Sequence, residues 1–112
     1  MTGKRAVLRK RADRDLEEAL DFYVRRGAPR AALEFIDALE QALGAIECHP
    51  AIGSTRYATE LDLPGLRCRQ FKGHSHLVFF IEREHHLDVW RVLHGNRDIP
   101  AWLQPGDWGE RR

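Results

Sequence analysis

The sequence predicts an α+β domain: an N-terminal strand and an antiparallel two-helix hairpin packed on an antiparallel sheet that ends in a three-stranded meander. Three observations carry that expectation. Two apolar stripes at helical spacing lie within residues 13–47, and three strand-like runs follow residue 65. Only two or three residues join the helices, which forces them antiparallel.

Each element has its own local reason. Ala6-Val7-Leu8, set between basic residues, reads as a short first strand. Leu16, Ala19, Leu20 and Tyr23 then define one helical face, with Asp13 and Asp15 near the positive end of the helix dipole. Arg25, Arg26 and Gly27 mark its end, and Pro29 suits the first turn of a second helix. Ala32, Phe35, Ile36, Leu39, Leu43 and Ile46 form the second stripe, which stops at His49-Pro50. Ala51–Gly65 reads as a long loop. Leu66–Lys72, Ser75–Glu82 and Leu87–Leu93 read as strands joined by Gly73-His74 and by residues 83–86, both short enough for hairpins. The last strand carries large apolar groups on both faces, with Asp88, Trp90 and Val92 alternating against Leu87, Val89, Arg91 and Leu93, as an inner strand would. Ile99–Gln104, with Pro100 near its start, reads as a short C-terminal helical turn. The domain is expected to span residues 1–104, with residues 105–112 a flexible tail.

Composition sets the bounds on function. A chain of 112 residues that is 43% apolar and 31% charged has the size and make-up of one globular domain. No apolar run approaches the roughly 18–20 residues a membrane span requires. The N-terminus has no apolar core of a secretory signal, so a cytoplasmic location is expected, with no membrane partner. Cys48 and Cys68, without a CxxC pattern, are expected to be free thiols. The net charge of +1 hides a segregation: residues 13–47 hold nine acids, whereas residues 64–97 hold six Lys/Arg, three acids and five of the six histidines. That balance suits an anionic partner for the later half, yet falls far short of the basic footprint of a DNA-binding domain. Sequence-specific DNA binding by this chain alone is therefore not expected.

Candidate chemistry gathers on the strands. Arg67, Arg69 and Phe71 share one face of the first meander strand, and Lys72 lies just beyond, forming a cationic stripe suited to phosphates or carboxylates. His74 and His76 form an HxH pair and His85-His86 an adjacent one, both in turns; no third ligand cluster follows, so no metal is expected. His94-Gly95-Asn96-Arg97-Asp98 is a wholly polar run on the end of an apolar strand, a position where small domains present working surfaces. Gly95-Asn96 is also ordinary turn chemistry, and Asp98 could cap a helical turn beginning near Pro100. His94 as general base, Arg97 as phosphate clamp and Asp98 as orienting group would suit RNA cleavage, with Arg67 a further candidate. No nucleophile triad, phosphate loop or carboxylate cluster accompanies them, and the residues alone leave enzyme status undecided.

Arg91–Pro100, RVLHGNRDIP, resembles the RVLHGxRD signature of ParE-type toxins in the RelE/ParE superfamily of bacterial type II toxin–antitoxin systems, also described as plasmid stabilisation proteins. The early helix Ala12–Leu20, the segment Pro64–Lys72 and the strand Leu77–Ile81 support the resemblance, which covers roughly Arg5–Leu103. It implies a growth-arresting toxin without a cofactor, neutralised by a cognate ParD-like ribbon–helix–helix antitoxin whose C-terminal segment wraps the toxin. It further implies DNA gyrase as target by protein–protein binding. The alternative within the superfamily is a RelE-like ribosome-dependent mRNA endonuclease, which often uses a C-terminal tyrosine or histidine. The tyrosines here are Tyr23 and Tyr57, far from that end. The binding reading therefore leads, and Arg67, Arg69, Arg91, His94 and Arg97 are the expected target contacts, with Arg91, His94 and Arg97 exposed.

Overall fold

A computed structural model describes residues 3–95 and Ile99. The chain runs β1 (Arg5–Leu8), α1 (Lys10–Arg25), α2 (Pro29–Cys48), a 3-10 turn at Pro50–Ile52, α3 (Arg56–Glu60), β2 (Leu66–Gln70), β3 (His76–Glu82) and β4 (His86–His94). Gly27, with φ of 67°, takes the left-handed conformation that closes α1, and Pro29 opens α2. The C-terminal helical turn and the tail fall outside the described residues, apart from Ile99.

The sheet order is β1-β4-β3-β2. The antiparallel meander β2-β3-β4 is present as expected. β1 joins β4 in parallel, from Arg5 opposite His86 to Leu8 opposite Val89, so the sheet is mixed. The cause is the helical hairpin: it carries the chain across one face between β1 and the meander, so that β1 enters alongside the open edge of β4. That makes β4 an inner strand along its first half, as its two apolar faces require.

Each face of the sheet has its own core. On one face Val78, Phe80, Val89 and Val92 pack with Phe35, Ala38 and Ile46 of α2, while Leu16, Leu20 and Tyr23 of α1 close the side. On the other, Leu66, Cys68, Phe79, Trp90 and Leu93 pack with Tyr57 of α3 and Ile99. The segment read as a long loop is therefore partly ordered. Tyr57, Leu61 and Leu63 cover the second face, and exposing that face to water would cost roughly 25 cal/mol per Å² of apolar area.

One irregularity redirects the signature strand. Phe79 lies opposite Arg91 and Phe80 opposite Val89, so Trp90 is the extra residue of a β-bulge. Strict alternation would place Trp90 with Val92 and Arg91 with Val89. Instead Val89 and Val92 share the helix-covered core, while Trp90 faces the other.

Candidate functional site

Arg91, opposite Phe79 in the register of β4, is tied to α1. Its side chain is 0% exposed. Its guanidinium makes a bidentate pair with Asp15 of α1: Nε donates to Oδ2 at 2.8 Å and Nη2 to Oδ1 at 2.9 Å. The backbone N–H of Val92 donates to the same Oδ2 at 2.9 Å. β1 ends at Leu8 opposite Val89, so the edge of β4 away from β3 has no strand beside it beyond that point, and the Asp15 carboxylate accepts the Val92 N–H there. The expectation that Arg91 is an exposed target contact is corrected by this burial. A guanidinium placed among Phe79 and Val92 must be matched by a carboxylate, and Asp15, expected only to suit the helix dipole, supplies it.

A second buried carboxylate secures the other end of β4. Asp88 accepts from Arg9 Nε at 3.0 Å and Nη2 at 2.9 Å, and from Arg83 Nη2 at 3.1 Å. Arg9 also stacks over Trp90, its guanidinium carbon 4.5 Å from the ring centroid. Burial alone would push the Asp88 carboxyl up; the guanidinium hydrogen bonds outweigh it and hold the group at about 2. Neither Arg9 nor Asp88 carried a sequence signal, since their pairing spans 79 positions.

His94 stands at the mouth of an open cleft of about 550 Å³ between α1 and the far end of the sheet. Glu18, Ala19, Phe22 and Tyr23 form one wall. The Gly73–His76 turn and Val92–His94 form the other. His74 and His76 are half-buried in this cleft rather than free in a turn, because the hairpin folds back against Phe35. The His76 ring lies 4.9 Å from Phe35 and 5.0 Å from His94 between centroids. Among the described residues no group of three or more His, Cys, Asp or Glu is arranged to hold a metal ion. His85 is exposed and His86 half-buried, away from the cleft.

Arg67 and Arg69 lie on the helix-covered face, opposite Phe80 and Val78, on the outermost strand of the sheet. Arg69 is exposed, as is Lys72. Arg67 is half-buried, its Nη1 donating to the Gly53 carbonyl at 3.1 Å. Gly53 permits that approach: a Cβ there would meet Arg67 Cβ at 2.9 Å. Both thiols are unpaired; burial pushes the Cys68 thiol up against the opposing pull of Arg56, while Cys48 is exposed. Of the expected target residues, Arg67 and Arg69 thus share one edge and His94 lies two strands away. Arg91 is enclosed, and Arg97 falls outside the described residues.

The fold is thus a mixed four-stranded sheet with a helical hairpin across one face. A solved chain described as "Chromosomal ParDE TA system from P. aeruginosa" shares it, with a TM-score of 0.66 at 18% identity, over 81% of this chain and 95% of that one. No curated protein matches the chain in sequence. The family described as "ParE toxin of type II toxin-antitoxin system, parDE" matches residues 6–99, and the chain belongs to that family.

Proposed function

We propose that this chain is the toxin of a ParDE-type pair, held inactive in the cytoplasm by a ParD-like antitoxin, and that it acts by binding DNA gyrase rather than by cutting RNA. The family supplies the class of activity. The observation that favours binding over cleavage is the placement of the cations. Arg91 is enclosed and committed to Asp15. Arg67, tied to the Gly53 carbonyl on β2, lies two strands from His94 on β4, roughly 10 Å across a sheet whose strands are ~4.8 Å apart. His94 and Arg67, so separated, do not converge on one phosphate; Arg97, next to His94 in sequence, falls outside the described residues. Arg69 and Lys72, exposed together at the sheet edge, suit a protein surface rich in carboxylates.

The test is a supercoiling assay with purified gyrase, run beside translation of ribosome-bound mRNA. The binding reading expects supercoiling to fail and mRNA to stay whole. Untouched supercoiling at micromolar toxin, in excess over the enzyme, would sink it. The second reading, ribosome-dependent cleavage, draws on the paired rings of His76 and His94 at 5.0 Å. It expects codon-position cuts that vanish in His94→Ala and Arg97→Ala proteins which still bind antitoxin.

A further inference from the structure

The cleft between α1 and the end of β4 has a chemistry of its own. Helix α1 carries two stripes. Leu16, Leu20 and Tyr23 pack against the core. Asp15, Glu18, Ala19 and Phe22, spaced i, i+3, i+4 and i+7, border the cleft together with Tyr23. Asp15 is committed to Arg91 and Val92. Glu18 is exposed and forms no ion pair among the described residues. The described residues that line the cleft include His74, His76 and His94 but no lysine or arginine. Tyr23 and Ser75 add hydroxyls.

Phe22 adds an aromatic platform that is 51% exposed. It already attracts one guanidinium: Arg26, one turn on, sits with its central carbon 4.4 Å from the ring centroid. An exposed carboxylate, an exposed ring and several acceptors in one concavity match a guest with a positive charge and several N–H donors. A phosphate or a carboxylate would meet Glu18 with no lysine or arginine among the described lining residues to offset it. Arg69 and Lys72, exposed at the β2 end of the sheet, are not among the described residues that line the cleft.

We infer that this cleft receives an arginine or lysine side chain from the antitoxin, carried beside an apolar residue that packs on Phe22. The volume of about 550 Å³ admits both, lying within the ~300–1,000 Å³ of ordinary ligand sites. The inference rests on the antitoxin reading above, and charge complementarity selects the occupant.

The probes are N-acetyl-arginine amide and its uncharged isostere N-acetyl-citrulline amide, titrated to tens of millimolar into the full chain. Histidine, Phe22 and Tyr23 resonances are followed by NMR. The arginine amide is expected to shift them saturably and the citrulline amide at least several-fold more weakly. Glu18→Gln and Phe22→Ala, both at exposed positions, should each weaken arginine binding by roughly twofold to fivefold while leaving the remaining spectrum folded. Addition of the antitoxin encoded beside the toxin should then displace the arginine amide.

Equal binding of citrulline, or indifference to Glu18→Gln, overturns a cation site. An antitoxin that binds tightly yet leaves the amide in place overturns the assignment of its side chain to this cleft and leaves the antitoxin reading standing. An antitoxin that does not bind the wild-type chain overturns both, whereas a gyrase fragment displacing the amide in its stead reassigns the cleft to the target.

Discussion

Removal of the Asp15 carboxylate should cost this fold a large part of its stability. In Asp15→Ala the guanidinium of Arg91, 0% exposed, keeps its charge and loses both bonds to α1. Breaking a buried pair on one side costs ~3–5 kcal/mol, because the surviving charge stays desolvated. The N–H of Val92 loses its acceptor as well, worth ~1–3 kcal/mol when buried. The two terms overlap, since water admitted to the gap serves both groups, so about 4 kcal/mol is expected in total. Set against the ~5–15 kcal/mol that holds a domain together, that leaves a marginal protein, its midpoint lowered by roughly 15–30 °C.

The assay is urea unfolding followed by circular dichroism on a double-mutant cycle of Asp15→Leu, Arg91→Met and the pair. If the charges stabilise chiefly by satisfying each other, the double variant should be more stable than Asp15→Leu alone, with a coupling of ~2 kcal/mol or more. A loss below about 1 kcal/mol in Asp15→Ala, or a double variant equal to the sum of the singles, would refute the reasoning.

Three further outcomes follow from particular contacts. The Asp88 carboxyl titrates at about 2 in the fold against an ordinary value of 3.8, so its pairs contribute fully above that ordinary value and are lost as pH falls towards 2. Urea midpoints across that range should drop by an amount worth about 2 kcal/mol, and Asp88→Asn, less stable at neutral pH, should flatten the slope. Gly53→Ala puts a methyl 2.9 Å from Arg67 Cβ and from the Phe80 ring, and should destabilise by ~1–3 kcal/mol while freeing Arg67; Gly44→Ala, with open space around it in α2, should stabilise by ~0.5–1 kcal/mol, both read from thermal unfolding. Iodoacetamide should label exposed Cys48 in the native chain and reach buried Cys68 only in urea, giving one and then two adducts by mass spectrometry.

What was legible in the sequence is what neighbouring residues decide among themselves. The stripes of α1 and α2, the Gly27 and Pro29 signals between them and the meander are local patterns, and they locate the helical hairpin and three strands within a few residues. The parallel entry of β1 was not legible, because four residues carry no record of which strand they join or in which direction. Nor was α3, whose five residues are too few to show a helical period. The bulge at Trp90 breaks the alternation that assigned faces in β4, and nothing in LDVWRVLH marks the break. The candidate site suffered most. Arg91 belongs to the most recognisable motif in the chain, and its partner Asp15 lies 76 positions earlier, in a helix start that accounts for an acidic residue without it.

The same carboxylate also closes part of the sheet's edge. An open sheet edge invites another chain, and each edge of this sheet is blocked by a polar group from elsewhere. Glu47 of α2 accepts from Ala6 N–H at 2.8 Å along β1. Ser54 exchanges both backbone bonds with Cys68 along β2. Asp15 takes the N–H of Val92 where β1 stops short of the end of β4. A strand adding to β4 would have to break the Asp15 bond, which also anchors Arg91, whereas a side chain entering the cleft beside it breaks nothing. Exposed groups, Glu18 with Phe22 and Arg69 with Lys72, are therefore the inexpensive points of contact.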